Sequence, residues 1–149
     1  MAFFLGLLSI GALLYGIGWL TQSPYLLDPH HDALLAATAM FVMIGLTHLR
    51  KPEQLAYMIP AFLPNARLLV LLSGVAEIVL GLSLLFLETR FWAGWGLIIL
   101  LIAIFPANIN VAVKNLPPPG GLPAKLWYVW SRLVFQPVYI IWIWYAALI

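Results

Sequence analysis

Residues 68–87 read LLVLLSGVAEIVLGLSLLFL, a run carrying one charge, Glu77, and no proline. An α-helix of that length rises about 30 Å, the thickness of the hydrocarbon core of a bilayer. The reading extends outward in both directions. Four more apolar stretches, 2–20, 33–49, 91–113 and 126–149, surround it, and of all the charged residues only Glu77 and Arg132 fall inside the five. No segments of about ten alternating residues, the pattern of a transmembrane barrel, can be found. The expected fold is therefore all-α, a polytopic transmembrane bundle of five helices in one membrane domain spanning 1–149.

Composition excludes the soluble alternative. The chain has 149 residues, 64% of them hydrophobic, a mean hydropathy of +1.04 and 8% charged side chains, whereas about a quarter of a soluble domain is charged. Zero cysteines remove disulfide exchange, iron–sulfur clusters and thiolate metal sites from the chemistry open to this chain, so no intrinsic cofactor is expected and catalysis by the chain alone is not. The first stretch lacks a basic leader region and ends in Thr21-Gln22-Ser23-Pro24 without a small-x-small cleavage site, so it reads as a retained helix.

The basic residues set an orientation. Arg50, Lys51 and Arg67 lie between the second and third stretches and Lys114 and Lys125 between the fourth and fifth, while 21–32 carries Asp28 and Asp32 with no Lys or Arg. The positive-inside rule then places the N-terminus in the cytoplasm and the C-terminus outside. Trp19, Tyr25, Trp92, Trp95, Trp142, Trp144 and Tyr145 would ring the outer interface, and Trp127, Tyr128 and Trp130 the inner one. In the inner loop, Leu55, Met58, Ile59, Phe62 and Leu63 repeat at helical spacing behind Pro52, predicting an interfacial helix over 52–64, with Asn65 placed to cap the next helix. Residues 115–123, with Pro-Pro-Pro followed by Gly-Gly, predict a stiff then kinked loop. Nothing in the chain points to nucleic acid or a nucleotide.

Polar residues at membrane depth carry the functional signal. Glu77 lies about ten residues into its helix, where an ionised carboxylate costs several kcal/mol unless paired or wetted. Ser73, Glu77 and Gly81 share one face, with small residues that permit close helix approach. Arg132 is the other intramembrane charge, and an ion pair with Glu77 is the cheapest arrangement. The fourth stretch carries Asn108 and Asn110 behind Pro106, and the fifth carries Gln136 beside Pro137, each proline freeing a carbonyl one turn back. Thr47 and His48 end the second. Together Ser73, Glu77, Asn108, Arg132, Gln136 and His48 predict a polar pocket in the inner half of the bundle. The same residues also read as interhelical glue that fixes register, and His48 reads equally as an ordinary interfacial histidine. Outside, His30, His31 and Asp32 have donors suited to Zn or Cu, although adjacent histidines point apart.

Several short motifs resemble, in order, those of the DoxX-like family of small bacterial membrane proteins: Gly45-Leu-Thr-His48, Lys51-Pro-Glu53, Met58-Ile-Pro-Ala-Phe-Leu-Pro64, Leu72-Ser-Gly-Val-Ala-Glu77, Phe105-Pro-Ala-Asn-Ile109 and Arg132-Leu-Val-Phe-Gln136. The resemblance covers about 33–145. It implies a family-like four-helix core with the helix at 2–20 as an addition, a bacterial inner-membrane location, and functional positions at Ser73, Glu77, Asn108, Arg132 and Gln136. It further implies an accessory subunit of a membrane oxidoreductase or respiratory-type complex, its pocket holding a quinone or lipid head group. A non-enzymatic assembly or chaperone protein, docking on a partner membrane protein or on a second copy of itself, is the expectation from the other class.

Overall fold

The computed structural model describes residues 2–117 and 125–149. Most of the Pro-Pro-Pro-Gly-Gly loop expected at 115–123 lies outside the described residues. These fold into helices α1 (Ala2–Thr21), α2 (Pro24–Leu27), α3 (Pro29–Arg50), α4 (Pro52–Leu55), α5 (Ala66–Ser83), α6 (Leu87–Val113) and α7 (Leu126–Leu148), with a 3-10 turn over Ala56–Met58 and no strand among them. α1, α3, α5 and α6 are each long and apolar enough to cross a membrane. α7 has the length, at 23 residues, but Arg132, Gln136, Pro137 and its many Trp and Tyr lower its hydropathy. Four helices, rather than five, therefore meet both criteria.

Helix starts follow local chemistry. α3 begins at Pro29 rather than near 33 because the Asp28 side chain accepts hydrogen bonds from the backbone N–H of His30 at 2.8 Å and of His31 at 3.1 Å, with proline in the first turn. Asn65 does stand at the N-cap of α5, but in the left-handed conformation (φ 50°, ψ 54°) and without a side-chain cap bond. Asparagine tolerates that geometry, so it turns the chain instead of capping it. The expected helix over 52–64 is broken into α4 and the 3-10 turn, because Pro60 supplies no N–H and disfavours helix at Ile59. Leu55 is buried, while Phe62, placed on the same stripe by the periodicity, is 80% exposed.

The long helices run antiparallel. A Cβ on Gly6 would meet Met40 and one on Gly11 would meet Asp32, so α1 descends against α3; one on Gly94 would meet Ala147 and Leu148, which pairs the start of α6 with the end of α7. The core packs Leu7, Leu34, Phe41, Leu84, Leu97 and Ile143, with Ala36, Ala37 and Ala146 where helices come close. Trp142 donates its indole N–H to the Ala33 carbonyl at 3.0 Å and ties α7 to α3. At the opposite end, Asn110 donates to the Met58 carbonyl at 2.9 Å and the Tyr57 hydroxyl donates to the Pro117 carbonyl. Burial pushes the Tyr57 phenol up, with the charge of Arg132 acting the other way. The loops holding Arg50, Lys51, Arg67, Lys114 and Lys125 thus share one end of the bundle with the N-terminus.

Candidate functional site

α3 and α5 cross where two glycines face each other. A Cβ on Gly45 would stand 2.6 Å from the Gly74 carbonyl oxygen, and one on Gly74 would stand 2.9 Å from the Gly45 oxygen and 2.7 Å from the His48 Cβ. Only glycine on both sides allows this approach, the small-residue contact that apolar helices use to pack closely. Beside the crossing stand His48 and Glu77, each packed on the glycine of the facing helix. The His48 Nδ1 lies 2.8 Å from Glu77 Oε2, an ion-pair distance without hydrogen-bond alignment. It also lies 3.3 Å from the Ser73 hydroxyl oxygen, which donates to the Val70 carbonyl at 2.9 Å. Glu77 is 2% exposed.

α6 and α7 carry a second polar group. The Arg132 guanidinium donates through Nε at 3.3 Å and Nη2 at 3.0 Å to Asn108 Oδ1. Asn108 Nδ2 donates to Gln136 Oε1 at 2.7 Å. Gln136, itself buried, donates onward to the Leu101 carbonyl. α6 and α7 run continuously through Pro106 and Pro137. Pro106 leaves the Ile102 carbonyl without its helical donor, yet Gln136 binds the neighbouring carbonyl of Leu101.

The expected ion pair between Glu77 and Arg132 does not form. Glu77 is partnered by His48 and Arg132 by the neutral Asn108, and among the described residues no salt bridge reaches Arg132. The reason is register: the Gly45–Gly74 crossing puts a histidine, rather than the arginine of α7, beside the carboxylate.

Both groups line one cavity of about 260 Å³. His48, Ser73, Glu77, Asn108, Arg132 and Gln136 all face it, so the structure brings together every pocket residue that the sequence singles out. Its walls are otherwise apolar, from Phe41, Ile44, Leu101 and Ile104, and Leu55, Met58 and Ile59 lie at the basic end. Several lining residues escaped the sequence reading, three of them aromatic residues of α1 and α7. Tyr128 and Tyr139 also line it, and their spacing could have shown this, since Tyr128, Arg132, Gln136 and Tyr139 repeat along one face of α7. Phe3 of α1 is the third, its ring 4.6 Å from that of Tyr139 and 5.2 Å from that of Phe41. No signal within α1 marks it.

His30 and His31 pack against aromatic rings. The His31 ring stacks on Tyr25 at 4.2 Å and the His30 ring meets Tyr145 edge-on at 5.4 Å. Asp32 faces Gly11 of α1. His30, His31 and Asp32 therefore do not converge, and among the described residues no cluster of three or more His, Cys, Asp or Glu could hold a metal ion.

A family model described as a domain of unknown function, DUF8561, matches residues 37–147. This overturns the DoxX resemblance: the motifs quoted above belong to the DUF8561 domain, and α1 with the first turns of α3 precedes the matched region. No curated protein and no solved structure matches the chain significantly.

Proposed function

This chain belongs to the DUF8561 family, and from the geometry of its cavity we propose that it is an integral membrane protein that binds the polar head of a hydrophobic ligand, a quinone or a lipid, inside its helical bundle. The observation that carries this reading is the convergence of six polar residues from α3, α5, α6 and α7 on one otherwise apolar cavity. Polar groups serving only as glue would close on one another and leave no space, whereas these are joined in two separate sets, His48 with Glu77 and Arg132 with Asn108 and Gln136, that both border an open cavity. Here they surround space, and a space lined by amides and charges within lipid is filled by water or by a ligand's polar atoms. Binding, not chemistry, is the function supported. The expectation of an oxidoreductase complex drew its partner from the DoxX resemblance and is not part of this proposal.

The membrane placement belongs to the same proposal. The outer faces of the helices expose Leu13, Leu20, Leu72, Val79, Ile99 and Ile141, an apolar exterior that suits lipid better than water. α7 is taken as a fifth span because it packs lengthwise on α6 and α3 and its polar face turns inward to the cavity. With five Lys and Arg at the end that holds the N-terminus, the positive-inside rule puts that end, and the cavity near it, in the cytoplasmic half of an inner membrane.

A structure of the protein purified in lipid nanodiscs tests the binding role. Density for a head group within hydrogen-bond reach of two or more of His48, Glu77, Asn108, Arg132 and Gln136 is expected. A cavity closed by rearranged side chains in that structure would instead favour a protein that only docks on a membrane partner.

A further inference from the structure

Resting on the pocket reading just given, we propose that the ligand is an amphiphile with an acid head, carboxylate or phosphate, whose negative charge pairs with Arg132. The two charges in the cavity wall are not equally provided for. Glu77 has the His48 ring nitrogen at 2.8 Å. Arg132 has an amide oxygen, and no carboxylate within 4.0 Å among the described residues. A guanidinium offers five N–H donors in a rigid fork, and two of them converge on the single Oδ1 of Asn108.

The relay behind Arg132 cannot supply the missing charge. Asn108 must present Oδ1 to the arginine because its Nδ2 is engaged by Gln136 Oε1, and the Gln136 amide nitrogen is in turn engaged by the Leu101 carbonyl. Every acceptor in the chain of amides is thereby spoken for, and what the group offers the cavity is donors and positive charge. A cation against apolar walls is costly until an anion meets it, and bidentate pairing with a carboxylate or phosphate is what a guanidinium does best. A neutral quinone would accept a hydrogen bond and leave the charge uncompensated.

Location and size agree with an acid-headed lipid. Arg132 lies about 9 Å along α7 from its basic end, at the level a head group can reach, and the loops around that end carry Arg50, Lys51, Arg67, Lys114 and Lys125, which draw anionic lipids to it. The cavity, about 260 Å³, is smaller than sites that enclose a drug-sized ligand whole. It takes the head and the first part of a chain past Phe41, Ile44 and Ile104, and the tail runs out between helices into the bilayer.

The experiment titrates the detergent-purified full chain with oleate, methyl oleate, dioctanoyl phosphatidylglycerol, dioctanoyl phosphatidylcholine and decylubiquinone, read by tryptophan fluorescence. A charge-assisted contact predicts that oleate or the phosphatidylglycerol binds about tenfold or more tightly than its uncharged or zwitterionic counterpart. Which of the two acids binds tighter separates a fatty acid from a phospholipid as the source. Arg132→Gln should abolish the preference and Arg132→Lys retain most of it. Equal binding of oleate and its methyl ester, a preference unchanged in Arg132→Gln, or decylubiquinone outcompeting both acids overturns the acid head while leaving the pocket standing. Saturable binding of none of the five overturns the pocket reading as well. Should Arg132→Gln fail to fold, the oleate and methyl oleate comparison in the unaltered protein decides alone.

Discussion

Glu77 Oε2 and His48 Nδ1 stand 2.8 Å apart at the heart of the bundle, beside the contact of Gly45 with Gly74, each packed on the glycine of the facing helix. The carboxylate is 2% exposed, and in this surrounding a charge survives only with its partner. His48→Leu is expected to cost about 1–3 kcal/mol, the penalty for leaving a buried polar group unmet, and Glu77→Leu a similar amount. The double substitution should cost clearly less than the sum, since it leaves nothing unpaired. Unfolding in detergent measures all three, and strict additivity would show that the two residues do not act together.

The crossing itself gives a second expectation. Gly45→Leu and Gly74→Leu both place carbon against backbone oxygen of the facing helix, an obstacle that cannot rotate away as a side chain would. Each should destabilise by about 3 kcal/mol or more and uncouple His48 from Glu77. Gly16→Leu, where a Cβ meets nothing within 4 Å, serves as the control and should be tolerated. Comparable losses at all three positions would mean that the close approach is not what matters.

Much of this was legible in the chain. Hydropathy over lengths near twenty residues gives the long helices, because only bilayer-scale apolar runs produce them. The residues of the pocket were legible for the complementary reason, since Glu77, Asn108, Arg132 and Gln136 are costly in apolar helices unless something uses them. Pairing was not. Which residue meets Glu77 depends on the register of two helices against each other, set by a contact between Gly45 and Gly74 that neither helix discloses alone, and so Arg132 looked the natural partner. The helical stripe over 52–64 hid the effect of Pro60, which holds Ile59 in extended backbone, and Phe62 ends exposed. The family resemblance failed because small and polar residues in short motifs recur wherever apolar helices pack closely.

Asp28 yields a pH dependence. Its carboxylate accepts from the backbone N–H of His31 and of His30, and these bonds hold its pKa below the ordinary 3.8. A depressed carboxylate contributes stability that is fully present above the unfolded value and disappears as pH falls through the folded one. Protection of the His30 and His31 amides against exchange, taken relative to the intrinsic rate at each pH, should therefore be present at neutral pH, fall below about pH 4, and be low at every pH in Asp28→Ala. Asp28→Asn, whose amide oxygen caps without ionising, should remove the pH dependence. If it keeps the wild-type profile, the titrating group lies elsewhere.

Topology can be read with reporter fusions. Fusions after Asp28 and after Ile149 should report the outside and a fusion after Glu53 the cytoplasm, because the basic residues concentrate at the end shared by the N-terminus and both basic loops. A cytoplasmic signal after Ile149 would mean that α7 does not span.

Position 108 offers the sharpest test of what Arg132 is for. Asn108→Asp replaces the neutral acceptor of two guanidinium N–H groups, at 3.3 and 3.0 Å, with a carboxylate of the same shape, giving the arginine an internal counterion. The place of an external acid is then taken. Oleate affinity should fall about tenfold or more, and the advantage of oleate over its methyl ester should vanish. Asn108→Leu acts in the opposite sense. It strips the arginine of the amide oxygen that accepts from it and orphans Gln136 Oε1, which should cost about 1–3 kcal/mol of stability in the ligand-free protein. The unmet cation then gains more from an acid, so oleate affinity is held or raised and oleate restores part of the lost stability. A residue whose part is merely to hold α6 against α7 would lose binding in both variants, because either change loosens the same contact. Opposite signs at one position are what a site built around an uncompensated charge requires, and loss of oleate binding in both would remove the argument for it.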